Sequence, residues 1–208
     1  IFFHLRVFRL RLSFKRSVWK NYLSMSWPMA LSGFFGAMYV NIDSTIMGYL
    51  GQITQTGWYN AAYKITGAAV IPMVLISQSF FPALSKLLAD SKDKLQGAWD
   101  YYIKVLFFLV APLVVGGIVL APKIVNFIYG STYYPSVLAF QILIVASGIG
   151  VFINPFTQAM LIFDQQKKIF IVILSGAILS FILNLIFIPR YSLYGAAFST
   201  VISSLVVF

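Results

Sequence analysis

The sequence predicts an all-α membrane protein, a polytopic bundle of six transmembrane helices of which the last is truncated. Three observations predict it. Of the 208 residues, 60% are hydrophobic and 10% charged, and the mean hydropathy of +0.88 lies far above that of a soluble domain of this size. Uncharged stretches of about 20 residues, the length a helix needs to cross a hydrocarbon core about 30 Å thick, recur along the chain. Basic residues gather between those stretches on alternate sides, as the positive-inside rule requires.

The chain opens at Ile1 with an arm, residues 1–24, in which basic and apolar residues interleave without an acid. The arm reads either as a cytoplasmic connector or as a helix lying on an anionic leaflet. It has no long apolar centre and no small-residue cleavage site, so a cleaved signal peptide is a poor fit. The six-span region is residues 25–208. The first span is expected at 25–50, since residues 21–42 carry no charge. The second, 58–84, starts at the interfacial pair Trp58 and Tyr59. The third and fourth are 103–128 and 137–163. Pro72, Pro112 and Pro155 fall inside spans two to four, where a missing backbone N–H bends a helix. The fifth is 169–189. The sixth, 194–208, has 15 residues, about 22 Å of helix, which is short for a crossing and implies a fragment cut inside its last helix. The longest polar connection, 89–97, is too small to be a domain.

Of the 15 Lys and Arg residues, 12 lie on one side: six in the arm up to Lys20, then Lys86, Lys92, Lys94, Lys104, Lys167 and Lys168. Lys123 and Arg190 lie on the other. This asymmetry assigns the arm to the cytoplasm and the chain to the cell membrane as a multi-pass protein. It also accounts for the net charge of +10 without a nucleic-acid partner. The absence of cysteine and glutamate, with His4 the one histidine, removes the material for disulfides, Cys/His metal sites and catalytic triads. No catalytic residue, metal or cofactor is expected, and the partner common to every span is the lipid bilayer.

Asp43 and Lys64 are the ionisable residues placed deep in spans, where each costs roughly 2.5–3.5 kcal/mol on insertion scales. Counted inward from the same outer turn, they lie at matching depths of about 12 Å and about 10 Å. The expectation is that they pair, or jointly line a cavity. At 100° per residue, Ser32, Gly36 and Asp43 share one face of the first span. Asn60 and Gln78 share a face with Lys64. Asn41 stands beside Asp43. The candidate cavity residues are therefore Asp43, Lys64, Asn41, Asn60 and Gln78. The alternative is that Asp43 and Lys64 hold helices together and the small residues permit close packing. Asn154, Gln158 and Asn184 read as interhelical hydrogen-bonding residues.

Local strings carry a resemblance to a known family. They are Asn41-Ile42-Asp43 with Met47-Gly48, and Trp58-Tyr59-Asn60-Ala61-Ala62-Tyr63-Lys64 with Phe81-Pro82-Ala83-Leu84-Ser85. Further on come Tyr129-Gly130 with Tyr134-Pro135-Ser136, Asn184-Leu185, Ile188-Pro189-Arg190-Tyr191 and Tyr194-Gly195-Ala196-Ala197. In that order and on those sides, residues 21–208 resemble the C-terminal half of a polysaccharide flippase (O-antigen or lipid-linked oligosaccharide type) of the multidrug/oligosaccharidyl-lipid/polysaccharide exporter superfamily. The resemblance implies one lobe of a two-lobe exporter, with a missing N-terminal lobe as partner and the first two spans lining a central cavity. It implies a transporter, not an enzyme, that moves a polyprenyl-pyrophosphate-linked oligosaccharide across the membrane by alternating access. Lys64 would attract the pyrophosphate, and Asp43 would hold Lys64 or couple to a cation. The rival readings are a cation-coupled multidrug antiporter of the same superfamily and a membrane glycosyl polymerase, which would need larger outer loops.

Overall fold

A computed structural model describes residues 16–90 and 92–207. The described residues form five long α-helices and one short 3-10 turn: α1 (Arg16–Tyr49), α2 (Ile53–Asp90), α3 (Lys92–Tyr129), the turn Ser131–Tyr133, α4 (Ser136–Ile162) and α5 (Gln166–Val207). Helix is the form that satisfies every backbone group within one segment, as an apolar environment demands. The helices run through Pro28, Pro72, Pro82, Pro112, Pro122, Pro155 and Pro189. The short connections carry left-handed residues, Gly51 at φ 74° and Gly130 at φ 80°, with Asp164 at φ 54° between α4 and α5.

Helix α5 is two helices. Its 42 residues would make a rod of about 63 Å, but Ser192 inside it has φ 53° and ψ −129°. Asn184 and Thr200, about 24 Å apart on a straight helix, both hydrogen-bond one carboxylate on α1. The chain therefore reverses at Ser192, and residues 166–191 and 193–207 form the two arms of a hairpin. Gly195 permits the turn to close, since a Cβ there would collide with the Phe187 carbonyl.

Sequence and structure agree on six helical segments in the expected order. They differ on how many are apolar enough to cross. Among the described residues, four helices have the length and apolarity of a membrane span, within α2, α3, α4 and α5. The segment expected as the first span, 25–50, is helical but not among them. Its serines, glycines, Asn41 and Asp43 dilute it, because it meets other protein on one side and offers small and polar residues on the other. The helices also overrun the expected spans, so the connector expected at 89–97 is largely helix, and α1 passes residue 24 without a break. The first 15 residues of the arm lie outside the described residues.

Packing sets the order of neighbours. α1 packs chiefly on α5, α2 chiefly on α4, and α3 on α4. α4 is the centre of the bundle, with Ala139, Phe140, Leu143 and Ile144 buried. At one end the turns are stitched together: Ser192 Oγ donates to Gln52 Oε1 at 2.7 Å, Ser136 Oγ to the Trp58 carbonyl at 2.8 Å, and Tyr194 OH to the Pro135 carbonyl at 3.3 Å. The other end holds the start of α1, the end of α2, the start of α3 and the α4–α5 turn, and with them Arg16, Lys20, Lys86, Lys94, Lys167 and Lys168. Between the ends the outer faces of α3 and α5 bear large apolar side chains in the open, with Phe108 79% and Ile171 61% exposed. Such a belt on a polytopic helix bundle belongs in lipid, and the chain is a multi-pass membrane protein.

Candidate functional site

Two polar regions interrupt the apolar bundle. The first is buried around Asp43, which is 4% exposed. Tyr59 OH on α2 donates to Asp43 Oδ2, and Asn184 Nδ2 on the first arm of α5 donates to Oδ1. Thr200 Oγ1 on the second arm lies 3.0 Å from Oδ2 and 3.0 Å from the Ala196 carbonyl, so its single proton serves one of the two. Four helical segments thus meet at one carboxylate, and Ser180 Oγ extends the network 3.3 Å from Asn184 Nδ2. Burying an isolated carboxylate costs several kcal/mol, and surrounding donors offset that cost. Among the described residues, Asn184 Oδ1 and, one helical turn beyond Thr200, Ser203 Oγ are buried without a partner.

The ion pair expected between Asp43 and Lys64 does not form. Both residues lie near the stitched end as the depth argument required, but depth says nothing about azimuth. Tyr59 occupies the side of α2 that meets Asp43, and Lys64, five residues on, is about 140° further round. Lys64 is exposed. The face expected to look into a lumen also turns the other way: Ser32 and Gly36 are half-buried and Asp43 buried, on the side of α1 that packs on α5.

The second region is the exposed face of α1 and α2. On α1, Ser26, Ala30, Gly33, Ala37, Asn41, Ser44 and Gly48 recur at helical spacing, all exposed except half-buried Ser44. On α2 the matching row is Asn60, Lys64, Gly67, Ile71 and Gln78, exposed below Asn60. The rows meet where Ser44 Oγ donates to Asn60 Oδ1 at 2.7 Å. Away from that bond the helices part, since each packs on a different neighbour and they share few contacts. A Cβ added at Gly33, Gly48 or Gly67 would meet nothing within 4 Å. Close packing among the described residues therefore does not account for these glycines. Asn41 Nδ2 donates to the Ala37 carbonyl of its own helix at 2.8 Å, which leaves its side-chain oxygen outward.

The five sequence candidates therefore divide. Asn41, Asn60, Lys64 and Gln78 share the exposed α1–α2 face, with Lys64 its one cation among the described residues. Asp43 belongs to the buried knot. Tyr59, Asn184 and Thr200 were not among the candidates. Asn184 does make the interhelical bond its polarity implied, and Gln158 does likewise, donating from Nε2 to the Ser77 carbonyl at 2.9 Å. Thr200 carried no signal in sequence, being one hydroxyl among several on an apolar segment. No group of three or more metal-ligating residues occurs among the described residues.

Residues 1–138 match the family model described as polysaccharide biosynthesis protein. The chain is similar to two proteins of Haloferax volcanii. It is 25% identical over 190 residues to the probable low-salt glycan biosynthesis flippase Agl15, covering 88% of this chain and 38% of that protein. It is 25% identical over 166 residues to the probable flippase AglR, covering 78% and 35%. The chain thus spans less than half the length of either relative. No solved structure matches it.

Proposed function

The chain belongs to the polysaccharide biosynthesis protein family, and on that premise we propose that it is one lobe of a flippase that carries a polyprenyl-pyrophosphate-linked oligosaccharide from the cytoplasmic to the outer leaflet by alternating access. The observation that carries this reading is the exposed α1–α2 face. Apart from Ile71 and Leu75 it is small and polar, while the exposed faces of α3 and α5 present mainly Phe, Ile and Leu. A surface of that composition is expensive against lipid chains and suits a hydrated passage completed by a second lobe. The two relatives are named as probable flippases, which supports a transport reading.

In this reading Lys64 is the electrostatic anchor. A single ammonium in a partly dehydrated passage attracts a pyrophosphate more strongly than it would in bulk water. Asn41, Asn60 and Gln78 offer amide donors and acceptors at several depths, suited to sugar hydroxyls. Asp43 does not touch this face. Its role is to hold α1, α2 and both arms of α5 in register so that the face keeps its shape. The basic end, and the arm with it, faces the cytoplasm, where the loaded lipid enters.

The test uses the full-length protein in a strain lacking its own flippase, with glycan exported to the cell surface as the readout. Lys64→Gln should cut export on the order of tenfold at unchanged protein level, the effect of losing one charge-assisted phosphate contact. Lys64→Arg should restore most of it. Export unchanged in Lys64→Gln would remove Lys64 from the transport path.

A further inference from the structure

A second cation cluster lies apart from the α1–α2 face, where the α4–α5 turn meets α1. It borders a cavity of about 570 Å³ lined by Ser24 and Pro28 of α1 and by Asp164, Gln165, Lys167 and Lys168. Both lysines are exposed, and neither forms an ion pair among the described residues. Asp164, the one carboxylate in the wall, is turned back along its own turn, with Gln166 Nε2 3.4 Å from its Oδ1. Lys20 stands one helical turn before Ser24 on α1, toward the basic end.

Next to this cavity, further into the membrane, the α1–α5 seam becomes aromatic. Trp27 meets Phe170 edge-on with ring centroids 5.7 Å apart, and Phe35 follows at 6.1 Å from Phe170. Trp27 is 44% and Phe34 59% exposed, so this strip is open along the outside of the bundle. The order along the seam is a polar, cationic cavity at the end of the helices and then an apolar aromatic wall. That is the order of a lipid, headgroup first and chains after.

We propose that the cavity holds the phosphate of an anionic glycerophospholipid, with its acyl chains along Trp27 and Phe170. Lys167 and Lys168 supply ammonium donors to the phosphate oxygens. The site differs from the general positive field of this end, because Lys86 and Lys104 stand on open faces of α2 and α3, away from this cavity. The proposal does not depend on the transport reading, since a resident lipid would be held whatever passes along the α1–α2 face.

The experiment takes the full-length protein from bilayer discs of phosphatidylcholine and phosphatidylglycerol, releases it gently and counts retained lipids by native mass spectrometry. Phosphatidylglycerol should be retained in preference to phosphatidylcholine. Lys167→Gln with Lys168→Gln should lower that preference by about thirtyfold, the loss of two lysine contacts to an anionic lipid. The matched pair Lys86→Gln and Lys104→Gln should leave it unchanged, and the double arginine variant at 167 and 168 should keep it. With Trp27 as the sole tryptophan, phosphatidylglycerol with brominated chains should quench its fluorescence more than brominated phosphatidylcholine. Equal losses from the two glutamine pairs would reduce the effect to a diffuse field and overturn the site. Retention of a lipid-linked sugar phosphate in place of phosphatidylglycerol would overturn the phospholipid assignment.

Discussion

The core of the bundle and the exposed α1–α2 face both use glycine, for opposite ends. In the core, glycine is there because nothing larger fits: a Cβ on Gly195 would strike the Phe187 carbonyl, and one on Gly148 would come within 2.7 Å of Val114 Cγ2. On the α1–α2 face, Gly33, Gly48 and Gly67 have open space around them. The first pattern is the usual device of membrane helices, which lack a hydrophobic drive to associate and gain by close backbone approach. The second offers the chain no packing advantage and costs helix propensity of about 1 kcal/mol per glycine relative to alanine. In the proposed function, small residues at that cost on an exposed face keep the passage clear.

Substitutions that separate the two regions sharpen this contrast. The largest effect is expected at the buried knot, where Asp43→Ala orphans the hydroxyl of Tyr59 and the amide of Asn184 together. Thermal unfolding in detergent should show a loss of roughly 3 kcal/mol, and an unchanged melting temperature would mean the knot holds nothing together. Next comes Gly195→Ala. The obstacle is a backbone carbonyl that cannot swing aside, so the α5 hairpin must open, at about 2 kcal/mol in the same assay. The smallest stability effect belongs to the open face, where Gly67→Ala should be neutral or stabilising by up to about 1 kcal/mol. A bulky Gly67→Leu should likewise melt normally while glycan export falls. Gly67→Leu with normal export would break the contrast, since the space it fills would then serve no passage.

Much of the fold was legible beforehand because a bilayer makes demands that can be read in one dimension. Uncharged length marks a helix, and Lys and Arg mark the side to which a turn belongs. The first helix escaped this reading in part. Its apolar run was counted as a full span, but Ser26, Gly33, Asn41 and Ser44 lower its apolarity below that of the other four helices. The reversal at Ser192 was legible as a change between spans at 190–193. The strained backbone there was not, since φ of 53° is a glycine-like conformation held at a serine. The Ser192–Gln52 hydrogen bond helps to hold it, and it joins two turns far apart in sequence.

Sequence by itself determined that this chain is a helical membrane protein with one basic end, and that Asp43 and Lys64 sit at comparable depth. Depth follows from counting residues at 1.5 Å each, and counting needs no knowledge of neighbours. Tertiary structure decided what the two charges do. The packing of α1 on α5 and of α2 on α4 rotates Asp43 inward to Tyr59, Asn184 and Thr200 and leaves Lys64 outward. The azimuth of a side chain is fixed by which helices pack against its own, and those helices come from the other end of the chain.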